Sequence, residues 1–114
     1  MRYVLFFCLI SFSVFSQNTK QIAYQYYING EYEKAIAVYE ELTSKYLSVN
    51  YYDAFYSSLL IIEDYKQAIN LSKKYVRKYP KDLKYQLGII IAKDKSGDNL
   101  NIKLEYDRFF KKLD

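Results

Sequence analysis

From Ile22 onward, apolar residues recur every three to four positions. Ile22 and Tyr26, then Tyr32, Ile36 and Tyr39, form one stripe, and Ala35, Val38 and Leu42 run beside it. That spacing is the period of a helix, and no comparable run alternates with the period of a strand. Tyr65, Ile69 and Val76, interleaved with Ala68, Leu71 and Tyr75, repeat the stripe further along. Pro80 ends it, because its ring lacks a backbone donor and disfavours helical dihedrals at Tyr79. Asp64 and Asp98 stand directly ahead of apolar periodicity, where a side-chain oxygen accepts from the unpaired amides of a helix start. The pattern predicts helices over 18–29, 32–46, 50–62, 65–79, 82–95 and 99–113.

The helices come in related pairs. Gly30-Glu31-Tyr32-Glu33-Lys34-Ala35-Ile36 returns 33 residues later as Glu63-Asp64-Tyr65-Lys66-Gln67-Ala68-Ile69, and Lys45-Tyr46 returns as Lys78-Tyr79. A fixed period of this size marks stacked two-helix units, each too small to bury its apolar face alone. The sequence therefore predicts an all-α chain of about three helix-turn-helix repeats, over 17–48, 49–81 and 82–114.

These residues resemble the tetratricopeptide repeat family over roughly residues 18 to 113. Tyr32 with Ala35, and Tyr65 with Ala68, match its turn tyrosine and the small residue three positions on. The family's next aromatic is Tyr39 in the first unit but Ser72 in the second; its terminal proline is Pro80 in the second unit, whereas Leu47 stands in the first. An earlier small residue is Ala23 in the first unit, while Tyr56 holds that place in the second. In the third, Leu87-Gly88 matches the small position and Gly97-Asp98 the turn, after which the equivalents drift to Asn99 and Ile102. The resemblance implies a right-handed α-α superhelix, a solenoid whose concave surface is lined by the first helix of each hairpin. On this chain those positions fall on Lys20, Tyr24, Tyr27, Asn50, Asp53, Ser57, Asp82, Tyr85 and Ala92.

The first sixteen residues are of another kind. Met1-Arg2 gives a short basic start, Tyr3 to Phe15 is apolar apart from Ser11 and Ser13, and Val14-Phe15-Ser16 offers a cleavage site before Gln17. This is the layout of a secretory signal peptide over 1–16, too short for the roughly 20 residues of a membrane span. Cys8 lacks the preceding small residue of a lipoprotein signal. The expected destination is the periplasm or envelope of a Gram-negative bacterium, with secretion the second choice and no integral span after cleavage. Cleavage leaves residues 17–114 as one domain of 98 residues, removes the only cysteine, and lowers the formal charge from +4 to +3 with the loss of Arg2. Stability then rests on packed tyrosines and aliphatics, without disulfides.

What is missing narrows the chemistry. There is no histidine, hence no neutral-pH imidazole base and no serine-histidine pair. The three glycines, Gly30, Gly88 and Gly97, are isolated, so no phosphate-cradling loop is present. Asp94, Asp98 and Asn99 flank a turn but miss the spacing of a calcium loop. Glu31 with Glu33, and Glu40 with Glu41, have nothing converging on them. The expectation is a non-enzyme with no cofactor and no metal.

Binding remains. Tyrosines mixed with amides and charges suit an extended peptide, since tyrosine gives rigid contact area and amides bond its backbone. Tyr26, Tyr32, Tyr39 and Tyr65 are assigned instead to the core by their spacing from the alanines. The basic run Lys73-Lys74, Arg77-Lys78 and Lys81 fits an anionic surface, but compensation of a helix dipole accounts for cations in a last turn, as at Lys111-Lys112. Export disfavours nucleic acid. Leu104, Tyr106, Phe109, Phe110 and Leu113 are too apolar for one buried stripe. Phe109 and Phe110 point about 100 degrees apart on a helix, so the final hairpin is expected to meet a second copy or a partner through one of them. The reading is an exported scaffold or adaptor that binds a protein or peptide. The alternatives are a glycan-binding module using the tyrosine-rich groove, or the start of a longer repeat array.

Overall fold

A computed structural model describes residues 19–97 and 100–113. The segment expected to be a signal peptide, the cleavage site expected before Gln17, and the cap expected at Asp98 lie outside the described residues. Among the described residues the chain is all-α, with six helices and no strand: α1 (Thr19–Ile28), α2 (Tyr32–Lys45), α3 (Val49–Ile61), α4 (Tyr65–Lys78), α5 (Lys84–Lys95) and α6 (Ile102–Lys111). Each helix packs on the next in order, and α1 also reaches α3. None of these helices is long and apolar enough to cross a membrane.

Local chemistry accounts for the boundaries. Asp64 caps α4 as expected, its Oδ1 accepting from the Gln67 amide at 3.2 Å. Ser48 does the same for α3 through the Asn50 amide at 3.2 Å, a cap not anticipated from the apolar pattern. α4 stops at Lys78, just before Tyr79-Pro80. The last helix starts at Ile102 rather than 99, with Asn101 in the left-handed region at φ 67. The turns after α1 and α3 use the same two hydrogen bonds at a shift of 33 residues. Gly30 N donates to Tyr27 O and Glu31 N to Tyr26 O; Glu63 N donates to Leu60 O and Asp64 N to Leu59 O. The turn needs a left-handed residue, supplied by Gly30 at φ 79 and by Glu63 at φ 65.

Small residues sit where helices touch. Ala23, Ala35, Ala68 and Ala92 have no exposed surface. Replacing Ala68 with Leu forces extra carbons into a close contact, and we expect a loss of about 1–3 kcal/mol. Thermal melting of Ala68→Leu beside the exposed Ala37→Leu checks this: a drop of several degrees is expected for the first and not for the second. An Ala68→Leu protein that melts like its parent would place the helix contact elsewhere.

The aromatic core differs from the one expected. Tyr39 is buried as anticipated, but Tyr26, Tyr32 and Tyr65 are only half-buried. Tyr32 and Tyr65 open their helices, where there is no preceding helical turn to cover them. The enclosed tyrosines are Tyr52, Tyr75 and Tyr85. Tyr52 meets Tyr85 edge-on with ring centres 4.6 Å apart, and each lies 5.0 Å from Tyr75, a geometry worth about 0.5–1.5 kcal/mol per pair beyond burial. The hydroxyls of Tyr52 and Tyr75 are bonded inside the fold, as are those of the neighbouring Tyr56 and Tyr79. Tyr52 Oη and Ser72 Oγ share a 2.7 Å hydrogen bond, while Tyr75 donates to Ser48 O at 2.7 Å and Tyr56 to Gly88 O at 2.6 Å. Tyr79 donates to Leu47 O at 2.5 Å. These bonds tie α3, α4, α5 and the α2–α3 loop into one unit.

Candidate functional site

The site begins at Tyr39, whose ring is buried beneath α1 and α3. It stacks on Phe55 with centres 5.7 Å apart and lies 6.2 Å from the ring of Tyr51. Burial pushes its hydroxyl pKa up to about 12, so it stays a neutral phenol at physiological pH. Above this floor opens a groove of about 400 Å³, walled by Lys20, Gln21, Tyr24 and Gln25 on α1 and by Asn50 and Tyr51 on α3. Lys20, Gln21, Tyr24 and Gln25 follow the i, i+1, i+4, i+5 spacing that presents one helix face. Tyr24 is 52% exposed and leans on Tyr27, ring centres 6.0 Å apart and planes 33° from parallel.

The lining is chemically mixed in a useful way. One cation, three carboxamides and two accessible phenols surround an aromatic floor, and no carboxylate takes part. Amides both donate and accept, so they match a ligand backbone, while tyrosines offer flat contact area. Among the described residues, no group of three or more acidic, histidine or cysteine side chains could hold a metal.

Of the residues predicted to line a concave surface, Lys20, Tyr24 and Asn50 converge on this groove. Tyr27 is half-buried beside it and meets Tyr32 edge-on, ring centres 6.0 Å apart. Asp53 is exposed but pairs with Lys84 on α5 at 2.6 Å, which raises the Lys84 pKa through that hydrogen bond. Asp82 Oδ1 accepts from the Lys84 amide at 3.1 Å, a helix-starting role, and Ser57 is half-buried on α3. Two positions need correction. Tyr85 is 1% exposed and Ala92 has no exposure, because both face the tyrosine cluster and the helix contacts; neither offers a binding surface. Phe109 also turns inward at 5%, whereas Phe110 is 54% exposed and meets it edge-on at 5.6 Å. The two rings diverge as their helical spacing requires, so of this pair Phe110 is the one that remains available at that end, beside the exposed Leu104 and Leu113.

Gln21, Gln25, Tyr39 and Tyr51 were not among the expected lining residues. Gln21 and Gln25 were legible as neighbours of Lys20 and Tyr24 on one helical face. Tyr39 and Tyr51 required knowledge of how α2 and α3 cross. No protein-family profile, no curated protein and no solved structure matches this chain.

Proposed function

We propose that the protein is a helical-repeat adaptor of tetratricopeptide type, exported through its N-terminal segment, that binds an extended segment of another protein in the bacterial envelope without bond chemistry. The observation that carries this reading is the groove between α1 and α3, where Lys20, Tyr24 and Asn50 line one cleft over the floor of Tyr39. The 33-residue recurrence, the matching turns after α1 and α3 and the fully buried Ala35 and Ala68 support stacked hairpins. Stacking leaves the α1 and α3 faces open along one side. Amides and tyrosines there suit the alternating backbone groups and side chains of an extended peptide.

Affinity capture of the tagged protein from its producing cell tests the reading. A protein partner is expected to be retained by the parent and by Lys34→Ala, and to weaken about thirtyfold with Tyr24→Ala, the loss of a central aromatic contact of about 2 kcal/mol. Asn50→Ala is expected to weaken capture as well, with melting unchanged because its side chain is exposed.

One observation favours a second reading. The Tyr24–Tyr27 pair gives an exposed aromatic platform flanked by amides, which is also how a protein grips sugar rings. A glycan reader would hold soluble oligosaccharide through Tyr24 and Tyr27 and recover no protein.

A further inference from the structure

α4 is a helix without a single acidic residue, and the absence extends from Tyr65 through Lys81. Over that span Lys66, Lys73, Lys74, Arg77, Lys78 and Lys81 are all exposed. Lys66, Lys73, Lys74 and Arg77 recur at i, i+7, i+8 and i+11, so they form one outward ridge about three turns long. Among the described residues the ion pairs are Lys34–Glu31, Lys45–Glu41, Lys84–Asp53 and Lys93–Glu105, and none of them takes a cation from this ridge. Four lysines elsewhere have a carboxylate partner; among the described residues no ion pair reaches this ridge, and the carboxylate that shares a groove with it is Glu40, beside Lys74.

Dipole compensation covers only part of the pattern. Arg77 and Lys78 occupy the last turn of α4, where positive charge is favoured. Lys66 sits in the first turn, where the dipole opposes a cation; the Asp64 cap is the acidic group at that helix start, and the turn itself holds none. Lys66 and Lys73, with Asn70, Tyr65 and Ile69, also line a groove of about 380 Å³ that continues to Lys93 on α5. At the other end Lys78 lies 4.5 Å above the ring of Tyr46, itself 58% exposed. The ridge thus has cations along its length and amphipathic tyrosines near both ends.

We propose that this outward face of α4 docks on a membrane surface rich in anionic phospholipid. Single-sign charge over several turns meets an anionic lipid surface without needing alternating partners, and four to eight clustered cations suffice for such attraction. A protein partner fits less well. Protein interfaces have an apolar centre depleted in charge, and none of the exposed large apolar residues of the described chain lies on α4. Held by this ridge, the protein would keep the α1–α3 groove available to its own ligand.

Vesicle flotation of the protein recovered from its producing cell tests the proposal, using phosphatidylglycerol or phosphatidylcholine vesicles at low and high salt. Binding is expected only to phosphatidylglycerol and is expected to weaken with salt. Each removed charge should lower the affinity about fivefold, so Lys73→Gln/Lys74→Gln/Arg77→Gln should lower it about a hundredfold. Lys34→Gln/Lys45→Gln/Lys95→Gln, which removes the same charge elsewhere, should stay within about threefold of the parent. Lys66→Gln should weaken binding about fivefold without lowering the melting temperature, since it relieves a dipole conflict. Equal binding to both lipids, an equal loss in the two triple variants, or a preference for polyglutamate over phosphatidylglycerol vesicles would each overturn the proposal.

Discussion

Raising the pH from about 10 to about 12 is expected to unfold the protein cooperatively, with helical circular dichroism lost together with a burst of tyrosinate absorbance. Burial raises the hydroxyl pKa values of Tyr39 and Tyr56 to about 12 and moves Tyr52 and Tyr75 further in the same direction, the last two from within the aromatic cluster. Below about pH 10 these phenols are neutral in both folded and unfolded chains, and their contribution is fully present. Above it the unfolded chain releases protons that the folded chain keeps. The folded state then holds more protons, so stability falls as pH rises toward the folded values. Each such tyrosine steepens the decline by about 1.4 kcal/mol per pH unit, and four together give roughly 5. A small domain has little more than that to lose. Ionisation also removes the donors that Tyr56 and Tyr75 give to the carbonyls of Gly88 and Ser48. Gradual titration centred near pH 10, with helix content intact, would contradict the buried cluster.

Gly88→Ala is expected to destabilise the protein by about 2–4 kcal/mol, although alanine favours helices over glycine by about 1. A Cβ at position 88 would stand 2.1 Å from Tyr52 Oη and 3.1 Å from Ser72 Oγ. The hydroxyl cannot swing aside freely, since the Tyr52 ring is held by Tyr56, Tyr75 and Tyr85 at 4.6–5.1 Å. Displacing it also breaks the buried Tyr52–Ser72 hydrogen bond. The nearest ring atom, Tyr52 Cζ, is 3.5 Å from the added carbon, an ordinary contact. Deleting the hydroxyl should therefore restore room. In urea titrations, Tyr52→Phe/Ser72→Ala/Gly88→Ala is expected to be more stable than Gly88→Ala alone, because it removes both the clash and the orphaned hydroxyl. Additive losses in the triple variant would mean that position 88 does not face Tyr52.

Much of the fold was legible because it depends on local signals. The three-to-four spacing around Ala35 and Ala68, the Asp64 cap and the stop at Tyr79-Pro80 each act within a turn or two, and the helices fall within three residues of expectation at each boundary. The aromatic core was less legible, because a tyrosine at a helical position fits equally well inside or out. Tyr85 was assigned to a binding face by its place in the first helix of a hairpin, but Gly88, one turn on, leaves space that Tyr52 fills, and the two rings close on each other. Ser72 stood out as a missing aromatic; its role became clear only with the Tyr52 hydroxyl beside it. In the candidate site, Lys20 and Tyr24 were readable from one helix face, and Asn50 from the corresponding face of the next hairpin. Tyr39 was readable as core but not as a floor, since that depends on how three helices cross.

Amide hydrogen exchange of the protein with and without the partner recovered by affinity capture tests the groove most directly. Protection is expected in residues 19–28 and in the first turns of α3 from Val49, with α4 exchanging as in the free protein. Protection confined to α6 around Phe110, with α1 and α3 unchanged, would contradict the account.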